Sequence, residues 1–313
     1  MTTLVTGASG FVGQHLTAHL AEEGDEVVAW AGSRQGPDLT DQESVERTLA
    51  ANPPRVVYHL AGAADVGASW SDPVGTFHAN ATGSLHLLMA CAKVGVERLV
   101  MVSSAAVYGS GPPSTTSEGA FDETSPLMPV SPYAASKAAA EQLAIQAWVA
   151  GELDVVIARP FNHIGPGQST AFVASALAHR VAEAEATGGT EIEVGNLTPR
   201  RDFTDVRDVV RAYRLIASQA SPGMVLNVCT GQAVAIEQIA EHLVGLARSP
   251  MRLCEDPRLV RSVEVDSLSG DPTRLRELTG WAPRIPLETT LSDLLTDARR
   301  RVSDRLNKKA TPR

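Results

Sequence analysis

Thr3-Leu4-Val5-Thr6-Gly7-Ala8-Ser9-Gly10-Phe11-Val12-Gly13 joins a short apolar run, a glycine-spaced turn and the opening of a helix at the start of the chain. The helix runs on to about Gly24, with Leu16 and Leu20 facing inward. A strand feeding such a turn lets the backbone approach a pyrophosphate. The helix start adds free N–H groups and the positive end of its dipole. The spacing is Gly-x-x-Gly-x-x-Gly, and glycines also simply make tight turns. Set between a strand and a helix, the three read as a dinucleotide cradle.

Working outward, Glu26-Val27-Val28-Ala29-Trp30 is a second strand whose end decides the cofactor. An acidic residue there would bind an adenosine 2′-hydroxyl and repel a 2′-phosphate. Ser33 and Arg34 stand there instead, and a hydroxyl and a guanidinium suit the phosphate. NADP(H) is therefore favoured, with NAD(H) left open and an exposed loop arginine as the plainer alternative. Asp38-Leu39-Thr40-Asp41 follows so soon that a third strand is short or absent. Further strands are expected over Arg55–Gly62, Glu97–Val102 and Asp154–Arg159, with helices over roughly Pro73–Val94 and Pro132–Ala150. His59 has no evident partner and reads as structural. This alternation predicts an α/β fold, a doubly wound parallel (Rossmann) sheet, with a smaller α+β C-terminal domain. The expected division is 1–160 for the dinucleotide, with segments returning from about 200–230, then 161–305 for the substrate. A polar tail over 306–313 follows.

Ser131-Pro132-Tyr133-Ala134-Ala135-Ser136-Lys137 opens the second of those helices. Tyr133 and Lys137 lie one turn apart, on one face. A phenol titrates near ~10 in water, and a neighbouring ammonium pulls it toward the working range. An ordinary surface pair is the alternative. Ser103 and Ser104 close the strand before it, where active sites of open parallel sheets lie.

Composition sets limits. With 43% hydrophobic and 20% charged residues, the 313-residue chain reads as a globular protein with a sizeable core. No apolar run reaches the ~20 residues of a membrane helix, and no signal peptide is evident. Cys91, Cys229 and Cys254 are odd in number and far apart, as in reduced cytoplasmic chains. A net charge of −9 and 4% aromatic residues argue against nucleic acid. The eight histidines lack the spacing of a metal site.

Together, Gly7-x-x-Gly10-x-x-Gly13, His59-Leu60-Ala61, Ser103-Ser104 with Tyr108-Gly109, and Tyr133-x-x-x-Lys137 resemble the extended short-chain dehydrogenase/reductases. The resemblance implies Ser104 as catalytic hydroxyl and Tyr133 as acid/base. It implies that Lys137 binds the nicotinamide ribose and depresses the tyrosine pKa. It further implies that Gly7, Gly10, Phe11, Val12, Gly13, Ser33, Arg34, Asp38, Leu39, Leu60, Ala61, Gly62, Pro160 and Asn162 hold the cofactor.

Arg159 to Ser169, Phe172-Val173, Val194-Gly195-Asn196-Leu197, Arg201 to Asp208 and Gly280 to Leu287 resemble the nucleotide-sugar subgroup. That combination is most similar to GDP-4-keto-6-deoxy-D-mannose reductases, which form GDP-D-rhamnose. By resemblance Ser103, Ser104, Asn162, Phe172, Val173, Asn196, Arg201, Arg261 and Glu264 contact a nucleoside-diphosphate sugar, GDP-linked or alternatively UDP-linked. Guanidinium forks match phosphate oxygens, though these arginines also suit a solvated surface. A homodimer is implied too, supported by small apolar residues on several faces of the helices from Pro73 and Pro132.

Ser262-Val263 and Ala105-Ala106 depart from the reductase pattern, the latter toward sugar epimerases. The same alanines disfavour a 4,6-dehydratase, which needs a carboxylate beside the catalytic hydroxyl. The expected reaction is NADP(H)-dependent reduction of a 4-keto-6-deoxy sugar. A UDP-sugar C4 epimerase retaining NAD, or a non-catalytic dinucleotide-binding protein, stands as the alternative.

Overall fold

Strand and helix alternate from the first residues onward in a computed structural model that describes residues 2–32, 36–109, 119–259 and 265–310. The chain opens β1 (Thr2–Thr6), α1 (Phe11–Glu22), β2 (Glu26–Trp30), α2 (Gln42–Ala51) and β3 (Val56–His59). Two short helices follow, α3 (Val66–Ser71) and α4 (Pro73–Phe77), then α5 (Gly83–Val94), β4 (Arg98–Val102), α6 (Pro132–Val149) and β5 (Val155–Pro160). Six parallel strands form the central sheet in the order β2-β1-β3-β4-β5-β9, where β9 is Val225–Val228. The α/β doubly wound fold expected from the sequence is what the chain adopts. Among the described residues no strand stands between β2 and α2, because the Asp38–Thr40 turn leads straight into Asp41, the cap of α2.

β3 and β5 are buried along their whole length, as are all but the first residues of β1 and β4. Continuous Val/Leu/Ile runs suit strands covered on both faces. One face packs Val5, Leu16, Leu20, Val209 and Ile216 together, drawing on α1 and on α8 (Val206–Gln219). The other packs Val45, Leu49, Leu87, Leu99 and Ala144 from α2, α5, β4 and α6. Strand order reverses between β1 and β3, so a crevice opens at their C-terminal ends, the general ligand position of such sheets.

The helix expected over Pro73–Val94 is interrupted by a π-helical turn at His78–Thr82. Its physical reason is Asn80, which is buried and turned onto the loop after β3. Asn80 Oδ1 accepts from Ala63 N at 2.7 Å, and Nδ2 donates to Ala63 O at 3.0 Å and to Ser136 Oγ at 2.9 Å. A wide turn at a working side chain is a common use of this geometry.

Beyond β5 the chain builds a second layer: β6 (Asn162–Ile164), α7 (Val173–Thr187), β7 (Glu191–Val194), β8 (Arg200–Asp205), β10 (Ala233–Ala235), α9 (Ile236–Gly245), β11 (Arg252–Glu255), β12 (Ser267–Leu268) and α11 (Leu287–Ala310). Leu177, Val181, Ile239, Leu243, Leu291 and Leu295 make its own core. Between β8 and β10 the chain returns to the central sheet as α8 and β9, and α10 (Thr273–Thr279) packs on α8 and β9. The Gly280–Leu287 motif ties this return in place. Trp281, 1% exposed, donates from Nε1 to Asp208 O at 3.0 Å, and Asp208 Oδ2 accepts from Arg284 N and Ile285 N. The tail expected from 306 is helical to Ala310.

Candidate active site

The three motif glycines are dictated by contact. A Cβ on Gly7, whose φ is +72°, would sit 2.8 Å from Ala61 N. A Cβ on Gly13 would sit 2.1 Å from Gly7 O, so only glycine lets α1 approach the end of β1 this closely. Side chains of Asp41, Ser131 and Asp205 cap α2, α6 and α8. By contrast α1 has Gly10 at its cap, no side-chain cap and no acidic residue in its first turn. That leaves N–H groups and a positive dipole end for an anion, which fits a dinucleotide pyrophosphate. Gly10 and Ala61 complete the turn, and Ala61 N is tied to Thr6 Oγ1 at 3.2 Å.

A cavity of about 580 Å³ lies between the C-terminal edge of the sheet and the second layer. Phe11, Val12, Leu60, Gly62, Ser104, Tyr133, Lys137, Pro160, Asn162, Phe172, Val173, Asn196 and Arg201 all line it. Asp38 and Leu39 do not. Asp38 folds onto Thr40 N and Oγ1, and the Leu39 carbonyl accepts from His86. Ser33, Arg34, Arg261 and Glu264 lie outside the described residues.

Ser131 caps α6 through Ala134 N, and Pro132 occupies the first turn, so the helix begins just ahead of Tyr133. The Tyr133 phenol is buried and hydrogen-bonded with Ser104, whose Oγ also accepts from Ala106 N at 3.2 Å. Lys137 Nζ donates to the Val102 carbonyl at 2.9 Å, and a Cβ on Gly62 would come within 3.9 Å of it. Burial pushes Tyr133 upward, and only the Ser104 hydrogen bond opposes it. Burial pushes Lys137 down to about 8.

Ser103 also lines the cavity, and its buried Oγ donates to Glu141 Oε2 at 2.7 Å. Glu141, fully buried, pairs with Arg159, whose Nε lies 3.1 Å from each carboxylate oxygen. Arg159 Nη1 continues to Tyr108 OH at 3.0 Å, and Tyr108 donates to Asn227 Oδ1 at 2.7 Å. Burial lowers the arginine pKa, but Glu141 more than reverses this, so the cation persists. The network was legible in part. Tyr133, Lys137 and Glu141 follow at four-residue steps on one helix face, and Arg159 is a lone charge in an apolar strand.

His59 is structural: Nδ1 meets Thr6 Oγ1 and Nε2 meets Ser84 Oγ, both at 2.8 Å. Burial, helped by the Lys137 charge, pushes it down to about 3, so it stays neutral. His163 stacks on Phe11 and donates from Nδ1 to the Phe161 carbonyl at 3.0 Å. Sequence reasoning missed Arg180, Gln168 and Tyr213 in the cavity wall. Each sits in an unremarkable helix or loop, and no spacing rule marks it.

Lys137, Arg180 and Arg201 are the charged side chains among the described lining residues, and none there is acidic. The cavity thus suits a multiply anionic ligand. Among the described residues it offers no carboxylate beside Ser104, where Ala105 and Ala106 line the wall. Hydroxyl, phenol and ammonium can polarise a carbonyl and deliver a proton, and the cradle fits a dinucleotide alongside.

Known proteins bear on this arrangement. The model of the NAD dependent epimerase/dehydratase family matches residues 3–229. GDP-6-deoxy-D-mannose reductase of Pseudomonas aeruginosa is 37% identical over 306 residues, covering 96% of this chain and 98% of that one. UDP-glucose 4-epimerase of Mycolicibacterium smegmatis is 31% identical, covering 92% of this chain and 95% of its own. Among solved structures, RMD from Pseudomonas aeruginosa complexed with NADPH superposes with a TM-score of 0.86. It is 35% identical, with 96% of this chain and 99% of that one covered.

Proposed function

Because the chain belongs to the NAD dependent epimerase/dehydratase family, we propose that it is an NADP(H)-dependent reductase of a nucleotide-linked 4-keto-6-deoxy hexose. The substrate of this reading is GDP-4-keto-6-deoxy-D-mannose, and the product is GDP-D-rhamnose. The observation that carries it is the cavity wall, which brings together the Ser104 hydroxyl, the Tyr133 phenol, the Lys137 ammonium and the guanidinium groups of Arg180 and Arg201, with no carboxylate among the described lining residues. Ala105 and Ala106 put no base next to Ser104 in the sequence, and no described acid lines the cavity, which weighs against dehydration, since that must remove a C5 proton. Likeness to the Pseudomonas reductase and to the NADPH complex supports the substrate and cofactor.

In this mechanism the Gly7–Gly13 turn and the open start of α1 would hold the dinucleotide, whose chemistry when bound would be to supply the hydride. Ser104 Oγ hydrogen-bonds the C4 oxygen and holds it beside Tyr133. Tyr133 gives its phenolic proton to that oxygen as negative charge develops there. Lys137, anchored on the Val102 carbonyl, keeps positive charge close to the phenolate left behind. Arg201 takes the diphosphate, with Asn162, Phe172, Val173 and Asn196 around the rest of the nucleotide sugar. Burial of the phenol is a cost that these neighbours offset during turnover.

The decisive assay mixes protein, NADPH and the GDP-linked 4-keto sugar, then follows loss of reduced-nicotinamide absorbance. No consumption with GDP-, UDP- or dTDP-linked 4-keto sugars removes the proposal. A UDP-sugar epimerase is the second reading, favoured by Ala105-Ala106 and by the 31% identity to the mycobacterial enzyme. It requires stoichiometric NAD to be released on denaturation. We further propose a homodimer through α4, α5 and α6, where Val74, Phe77 and Met89 are exposed together with Trp148. Sedimentation of the protein and of a Phe77→Glu variant tests this. Free thiols at Cys91, Cys229 and Cys254 suit a cytoplasmic setting.

A further inference from the structure

α8 starts at Val206 and packs on α1, β4, β5 and β9 of the central sheet. Helical side chains lean toward their own N-terminus, so Tyr213, two turns in, leans back toward the start of α8. It belongs to the same buried cluster as Val5, Ala8, Val102 and Ala158, and it is one of the residues lining the cavity. The residue is 0% exposed, yet its hydroxyl has no hydrogen-bond partner. Buried hydroxyls are almost always paired, and a phenylalanine would fill the same space without that cost. It is also close enough to Tyr133 for a charge on one to raise the pKa of the other.

We propose that the Tyr213 hydroxyl is completed by the bound dinucleotide, through a hydrogen bond to the carboxamide of the nicotinamide ring. The inference rests on the reading that this cavity takes NADP(H). A carboxamide both donates and accepts, so it satisfies a phenol in either rotation. The hydroxyl thus fixes which way the ring turns and so acts in cofactor binding.

Tyr213→Phe removes only the oxygen. Affinity for NADPH, read by nicotinamide fluorescence, falls roughly 3- to 10-fold, the worth of one neutral hydrogen bond. Affinity for 2′-phospho-ADP-ribose, which lacks the ring, stays unchanged. The ligand-free variant melts at the same temperature as the parent or higher, because an unpaired hydroxyl has gone. Equal NADPH affinity in parent and variant overturns the proposal. Equal weakening of both ligands overturns the carboxamide assignment, and a lower melting point with unchanged affinities assigns the hydroxyl to a buried water instead. If the parent itself fails to bind NADP(H), the cofactor reading falls and this inference with it.

Discussion

Substituting Glu141 by Gln probes the support beneath the catalytic serine. Glu141 is 0% exposed and Arg159 4%, so neither charge has water to fall back on. Arg159 Nε bonds both carboxylate oxygens at 3.1 Å, Nη2 adds a further bond, and Ser103 donates to Oε2 at 2.7 Å. Glutamine keeps the shape but removes the charge and turns one acceptor into a donor. That donor faces either Ser103 or Arg159, both of which themselves donate. Stranding a buried cation that cannot lose its proton costs about 3–5 kcal/mol. Against a typical stability of ~5–15 kcal/mol this is a large fraction. Urea unfolding followed by circular dichroism measures it as a shift in midpoint at constant slope. Arg159→Met in the Glu141→Gln background should recover much of the loss, because the stranded cation is removed along with its partner. Ser103 precedes Ser104, so a loosened pair also displaces the catalytic hydroxyl. Misplacement on the scale of an ångström lowers kcat by up to about 100-fold. NADPH affinity is expected to change little. A Glu141→Gln loss below about 1 kcal/mol, or a double variant whose loss is the sum of the two singles, would refute the reasoning.

Five further outcomes are expected. Tyr133→Phe keeps NADPH binding but lowers kcat by about 10²- to 10⁴-fold, the usual worth of a positioned proton donor; steady-state kinetics with the keto sugar reads it. Burial holds the Lys137 pKa at about 8, so kcat/KM falls as pH rises through that value and the ammonium is lost, and Lys137→Arg moves this limb upward. The same depression, from an ordinary value of 10.5, means the folded chain binds fewer protons than the unfolded chain between the two values. Stability therefore rises with pH across that window, and Lys137→Met flattens the rise in urea melts at pH 8 and pH 10. Gly13→Ala pushes a methyl against Gly7 O, costs about 1–3 kcal/mol and abolishes NADPH binding, by calorimetry. Finally, Arg34→Ala weakens NADPH about 10-fold or more while leaving NADH unchanged, if the guanidinium meets the 2′-phosphate.

The central sheet was legible because its signals are local. Each strand is a short Val/Leu/Ile run between turn residues, and the glycine motif needs no distant partner to be read. The Tyr133–Lys137 pair was legible for the same reason, since one helical turn sets their spacing. What stayed illegible were partners that come from far along the chain. Only when β4, α6 and β5 come together do Glu141 and Arg159 stand behind the Ser103 hydroxyl.

By itself, the sequence determined the strand–helix order, the dinucleotide cradle and the shared face of phenol and ammonium, because these follow from periodicity over a few residues. Tertiary structure alone decided how deeply the phenol is buried, which pushes its pKa upward in the free protein. It also decided that no described acid lines the cavity and that Tyr213 arrives there unpaired. Burial and charge at a point are sums over every element packed around it, and no stretch of sequence contains that sum.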